Sequence, residues 1–299
     1  MSEGALSSIA KFQSAGVTGS GTMGLGIAIT IARAAIPVVV HDIARDAVDR
    51  ASSQIRAFFD ASVAKGKLSA EAAQACLSSL SFTTDYADLA DCDVVVEAIY
   101  EHLPAKHELL ARLNGVCKPE TLFLTNTSTL SITEIAAGSG RPDRVVGAHY
   151  CLPAQLMRLV EMSRGIHTSD AAWARGWEFE RACGQLPVET KDRPGFVLNY
   201  FCVPYHNDAI RLVEAGIAEP AEIDRAMKAA MGFAMGPCEL MDLIGLDTQL
   251  RASEAFFSVT NDPRTSPPPL LRRMVAAGIL GRKTKRGFFD YSRDAAFGS

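Results

Sequence analysis

The sequence predicts an α/β fold in two parts. A doubly wound, mainly parallel sheet domain covers residues 1–190, and an all-α domain covers residues 191–299. Three observations predict it. A length of 299 residues suits two domains of roughly 100–200 residues each. In the first part, short Val-rich runs alternate with amphipathic stretches, the rhythm of consecutive βαβ units. After Lys191-Asp192-Arg193-Pro194-Gly195 that rhythm stops, and only helical patterns remain.

The elements follow in order. Ala15–Thr18 is strand-like and leads through a glycine cluster into a helical stretch, Met23–Ala35. Pro37–His41 is a compact Val-rich run, as expected of a strand covered on both faces. From Ala47 to Val63, Val48, Ala51, Ile55, Phe58 and Phe59 recur at helical spacing. A second helix over Ser69–Leu80 would fold back across Lys65-Gly66-Lys67 to make a hairpin. Strand-like Asp93–Ala98, helical Ala105–Leu113 and strand-like Leu122–Asn126 come next. Ser131-Ile132-Thr133-Glu134 has the capping-box spacing, which starts a short helix. Strands over Arg144–His149 and Arg158–Met162 complete the first part. From Phe196 onwards, helical patterns are separated by Gly216, by residues 232–237 and by Asn261–Pro269, and Pro220 opens one helix at no hydrogen-bonding cost.

Composition narrows the function classes. Hydrophobic residues make up 48% and charged residues 21%, ordinary for a globular protein with sizeable cores. The formal net charge of −4 argues against a nucleic-acid partner, which usually selects a basic surplus. Seven scattered cysteines without a CxxC read as reduced thiols. Met1–Phe12 contains Glu3 and no apolar core, so no signal peptide is expected. No stretch approaches the roughly 20 apolar residues of a membrane span. A cytoplasmic protein is the expectation, and the histidines and cysteines lack metal-ligand spacing.

Gly19-Ser20-Gly21-Thr22-Met23-Gly24 matches GxGxxG between an apolar run and a helix. The glycines serve a tight turn, close backbone approach to a pyrophosphate, and helix–strand packing. The pyrophosphate would rest on the helix N-terminus, where free amides favour anions. Asp42 closes the second strand, where a ribose-binding carboxylate belongs. It would accept from the adenosine ribose and repel a 2′-phosphate, which favours NAD, although Arg45 leaves NADP open. A Rossmann-type dinucleotide domain follows from this context rather than from the glycines alone.

His149 ends one strand-like run and Glu161 ends the next, Leu159-Val160-Glu161. Oxidising an alcohol with NAD needs a base for the hydroxyl proton, and a carboxylate can orient a histidine for that task. Spacing alone does not bring the two together, and by itself it favours a packed core histidine and a surface glutamate.

Taken together, the residues resemble the L-3-hydroxyacyl-CoA dehydrogenase family, 3-hydroxybutyryl-CoA dehydrogenases included. The resemblance covers nearly the whole chain. Its motifs run in the family's order: Gly19–Gly26 with Asp42; residues 96–101, Val-Glu-Ala-Ile-Tyr-Glu; residues 126–130, Asn-Thr-Ser-Thr-Leu; His149 through Glu161; Lys191–Asn199; residues 235–237 with residues 242–247; and residues 281–289. It implies that His149 is the general base in oxidation and the acid in reduction, oriented by Glu161. Ser128 and Asn199 would hydrogen-bond near the reacting oxygen. Glu101, Lys106 and Lys283 would contact NAD, and Lys65 in the hairpin would contact the CoA end of an acyl-CoA substrate. A homodimer through the C-terminal domain is also implied.

Three positions depart from the family pattern. Leu152 stands where Asn usually precedes the proline, Tyr200 where Arg usually follows the substrate-contacting Asn, and Gln185 where a lysine is common. A leucine makes no side-chain hydrogen bond, so one polar contact is lost. Leu152 and Tyr200 motivate one alternative, a relative acting on another 3-hydroxy acid or a carrier-bound hydroxyacyl group; a catalytically silent NAD-binding structural or regulatory protein is an alternative of a different class.

Overall fold

The computed structural model describes residues 12–292. Residues 1–11, and with them most of the Met1–Phe12 reading, lie outside the described residues. The chain divides into two units between Arg193 and Pro194.

The first unit is an eight-stranded sheet in the order β3-β2-β1-β4-β5-β6-β7-β8. Its strands are β1 (Ala15–Thr18), β2 (Val38–His41), β3 (Leu80–Thr83), β4 (Val94–Glu97), β5 (Leu122–Thr125), β6 (Val145–Tyr150), β7 (Leu159–Arg164) and β8 (Leu186–Thr190). Every residue of β1, β4, β5 and β6 is buried, as strands covered by helices on both faces must be. The helices are α1 (Thr22–Arg33), α2 (Arg45–Ala64), α3 (Ala70–Ser78), α4 (Leu103–Val116), α5 (Ile132–Ala137) and α6 (Asp170–Ala182). α2 buries Val48, Ala51, Ile55 and Phe59, one stripe at helical spacing. The Ser69, Ser131 and Ser169 side chains each accept the N–H three residues on and start α3, α5 and α6.

The strands pair in parallel throughout except β6 with β7, which is antiparallel and sets His149 opposite Glu161. The helix expected to reach Leu80 stops at Ser78, and Leu80 instead opens β3 beside β2. α6 and β8 carry no clear pattern in the sequence. The buried stripe of α6 includes Ala172 and Gly176 as well as Phe179. β8 is an edge strand containing Pro187 with Leu186 and Val188 exposed, the setting in which a strand tolerates proline.

The second unit is helical: α7 (Leu198–Glu214), α8 (Pro220–Met231), α9 (Pro237–Ile244), α10 (Leu246–Thr260) and α11 (Pro269–Ala276). Its core gathers Ala209, Ile210, Ile223, Cys238, Met241, Leu246 and Leu271. Two buried carboxylates tie its connections. Asp224 accepts the Cys238 and Glu239 N–H groups that open α9, and Asp242 accepts those of Phe288 and Phe289 with the Tyr291 hydroxyl.

Candidate active site

The turn from β1 into α1 is dictated by two glycines. Gly19 has φ +95°, and a Cβ there would lie 2.6 Å from the Ala98 carbonyl oxygen, a conformation and a gap that only glycine tolerates. A Cβ on Gly24 would lie 1.7 Å from the Gly19 carbonyl oxygen, so the helix could not pack against its strand. Gly21 is different, since a Cβ there would meet nothing within 4 Å. That open space lies at the N-cap of α1, where no side chain caps the helix. The Thr22, Met23 and Gly24 amides are the first of the helix, where N–H groups have no partner within it.

Asp42, at the end of β2, has one oxygen accepting the Ser20 N–H at 2.8 Å and the Ser20 hydroxyl at 2.9 Å, while the other accepts the Ala44 N–H at 3.1 Å. Burial pushes its carboxyl up, but these donors outweigh burial and hold it below the usual carboxylate range. The residues present therefore fit a dinucleotide. An uncapped helix end and a glycine cradle would face a pyrophosphate, and an ionised carboxylate lies beside them where it could accept from ribose hydroxyls.

Across the sheet, the antiparallel register of β6 and β7 brings His149 and Glu161 together. His149 Nδ1 lies 2.9 Å from Glu161 Oε2, and His149 Nε2 lies 3.1 Å from Ser128 Oγ. His149 is 5% and Glu161 1% exposed, so the histidine is buried as spacing favours, whereas the glutamate is not at the surface where spacing would put it. A carboxylate only accepts, so Nδ1 carries the proton and donates to it. Nε2 of the neutral ring then presents its lone pair toward the Ser128 hydroxyl. The arrangement can take a proton at Nε2 and hold the resulting imidazolium against a carboxylate.

Ser128 is placed by Glu101. One Glu101 oxygen accepts from the Thr127 hydroxyl (2.6 Å), the Ser128 N–H (2.8 Å), the Thr129 N–H (2.8 Å) and the Thr129 hydroxyl (2.9 Å). Burial raises its carboxyl, yet the Lys106 ammonium and these donors bring it below the ordinary value. Lys106 is itself 1% exposed. Its Nζ lies 2.6 Å from Glu97 and 3.3 Å from Glu101, and Glu97 also accepts from the Thr125 hydroxyl and the Ile99 N–H. Lys106 thus points into the protein and supports Glu101. Glu97 lies within a motif already singled out in the sequence, yet no residue-level signal there assigns it a role.

The remaining residues stand apart. Lys65 is exposed at the end of α2. Asn199 and Lys283 belong to the second unit. Asn199 is half-buried in the first turn of α7, with its N–H bonded to the Gly195 carbonyl, and the Lys283 ammonium pairs with Asp247. Tyr200 is 67% exposed and meets Phe201 edge to face. Among the described residues, no group of three or more His, Cys, Asp or Glu is placed to hold a metal ion.

Two family descriptions match the chain: "3-hydroxyacyl-CoA dehydrogenase, NAD binding domain" over residues 14–193 and "3-hydroxyacyl-CoA dehydrogenase, C-terminal domain" over residues 195–291. A probable 3-hydroxybutyryl-CoA dehydrogenase of Deinococcus radiodurans is 44% identical over 276 residues, covering 92% of this chain and 99% of its own. The crystal structure of M. tuberculosis FadB2 superposes with a TM-score of 0.90 at 40% identity, covering 94% of this chain and 99% of its own. That of the (S)-3-hydroxybutyryl-CoA dehydrogenase PaaH1 from Ralstonia eutropha gives 0.86 at 37% identity, covering 95% and 100%.

Proposed function

The chain belongs to the 3-hydroxyacyl-CoA dehydrogenase family and is an NAD-dependent hydroxyacyl-CoA dehydrogenase, and on that premise we propose that His149 is its general base, working with Ser128 and Glu161. NAD, when bound, would supply the acceptor for the hydride that leaves the carbon bearing the 3-hydroxyl group. His149 Nε2 takes the hydroxyl proton in that direction and returns it in reduction. Glu161 keeps Nδ1 protonated and stabilises the imidazolium, as a buried carboxylate does for a catalytic histidine. Ser128 and Asn199 hold the reacting oxygen, because hydride transfer depends on orientation more than on affinity.

Gly19–Gly24 would hold the cofactor's pyrophosphate and Asp42 its ribose, Glu101 and Lys283 would contact it, and Lys106 would act through Glu101. Lys65 meets the phosphate-rich end of CoA. The first unit is the NAD-binding domain, and the second serves substrate binding and dimerisation. A homodimer through the second unit, which exposes Tyr200, Phe201, Ile217, Met231 and Val259, is part of this proposal, and light scattering reads it directly. Free thiols at Cys76, Cys92, Cys117, Cys183 and Cys238 favour the cytoplasm.

The observation that carries this reading is the Ser128–His149–Glu161 chain of contacts at 3.1 and 2.9 Å. Steady-state turnover of acetoacetyl-CoA with NADH tests it. His149→Gln is expected to lower kcat by roughly 100- to 10,000-fold while NADH binding persists. Unchanged turnover in that variant removes His149 from the mechanism.

A further inference from the structure

The geometry points to Asp192 as a positioning residue for the reaction, one that fixes the segment carrying Ser128 from its C-terminal side as Glu101 does from its N-terminal side. The inference rests on the reading above, in which Ser128 acts beside His149.

Residues 126–131 join β5 to α5 and have no strand or helix of their own. Two carboxylates hold the segment instead. Glu101 takes four donors from Thr127, Ser128 and Thr129 through one oxygen. Asp192 takes four more from the following turn. Its Oδ1 accepts the Ile132 N–H at 2.7 Å, and its Oδ2 accepts the Ser131 hydroxyl at 2.8 Å, the Thr133 N–H at 3.0 Å and the Thr133 hydroxyl at 2.7 Å. Between the two grips lies Leu130, whose N–H donates back to the Thr127 hydroxyl. The Ser131 hydroxyl also accepts the Glu134 N–H, so Asp192 sets the cap of α5 as well.

A segment with a carboxylate at each end cannot slide along the chain without breaking charge-assisted hydrogen bonds, the strongest class available to it. What it delivers to His149 is the Ser128 hydroxyl, whose Oγ lies 3.1 Å from Nε2. Displacing such a group by about 1 Å costs roughly a hundredfold in rate. Asparagine at position 192 would turn an N–H2 group toward donors and lose part of this grip while keeping the size of the side chain. Asp192 touches neither His149 nor any proposed cofactor residue in these contacts, and Ser128 is the group through which it reaches the reaction in this inference.

The test is a double-mutant cycle on the full chain, reading kcat with acetoacetyl-CoA and NADH together with the NADH dissociation constant from fluorescence. Asp192→Asn is expected to lower kcat by about ten- to a hundredfold and to leave NADH binding within about twofold. In a Ser128→Ala background the same substitution should cost less than about threefold, since the group it positions is gone. Asp192→Glu, which keeps the charge but moves the oxygens, should repeat the pattern and serves if the asparagine variant does not fold. An unchanged kcat in Asp192→Asn, or an equal loss in both backgrounds, overturns the inference. If Ser128→Ala itself leaves kcat unchanged, the assignment of Ser128 fails first, and the inference falls with it.

Discussion

Replacing Glu161 by glutamine removes a charge and little else. The two side chains are of nearly equal size, and the amide oxygen can still accept from His149 Nδ1 at the observed 2.9 Å, so ring orientation and tautomer are retained. What is lost is the attraction between a carboxylate and the imidazolium that forms when Nε2 takes the substrate proton. With the charge centres about 4 Å apart and an effective dielectric constant of about 20, that attraction is worth about 4 kcal/mol. It is absent while His149 is neutral, so it acts on the step that charges the ring rather than on substrate binding. At 1.36 kcal/mol per decade, Glu161→Gln should lower kcat by about a thousandfold, with KM for the acyl-CoA moving far less. Stopped-flow single turnovers with 3-hydroxybutyryl-CoA and NAD measure the chemical step directly, and circular dichroism checks the fold. A loss below about tenfold would mean that Glu161 does not stabilise charge on His149.

Two further outcomes test other parts of the structure. Asp42→Ala should weaken NAD by roughly ten- to a hundredfold, the worth of hydrogen bonds to a charged acceptor, and weaken NADP less; calorimetric titration showing equal losses would remove Asp42 from the ribose. The buried Glu180 bears on stability. Burial pushes its carboxyl from 4.5 up to about 8, against the lowering effect of the Tyr150 hydroxyl 2.7 Å away. The folded state therefore binds this proton more tightly than the unfolded chain. Its contribution is fully present below about pH 4.5 and is lost as the pH rises toward 8. Glu180→Gln should thus flatten the fall in Tm between pH 5 and pH 8, and a parallel slope in variant and wild type would contradict the assignment.

The legible parts of this protein are those governed by interactions over a few residues. The β1 turn could be read because Gly19 and Gly24 answer steric demands within a short loop, and α2 because one apolar stripe repeats every three or four residues. Even the start of α5 was visible, since Ser131 and Glu134 lie within one helical turn. β3 and β8 were not, because both are edge strands: β3 follows directly on α3 and fully buries only Thr83, and β8 contains a proline. Lys106 shows the same limit in the site. The resemblance implies that it contacts NAD, whereas it lies inward between Glu97 and Glu101.

The sequence by itself determined a dinucleotide turn, a carboxylate at the end of the second strand, and a histidine at the end of a buried one. Each follows from local sterics, capping or periodicity. Only the tertiary structure decided that His149 meets Glu161, twelve residues away, because that contact needs β7 to run antiparallel to β6 in one register. It alone also decided that Ser128 stands between Glu101 and Asp192, residues 27 before it in one case and beyond the last strand in the other. Such contacts depend on how the whole sheet is ordered, and hydrogen bonds between distant segments leave no period in the chain that makes them.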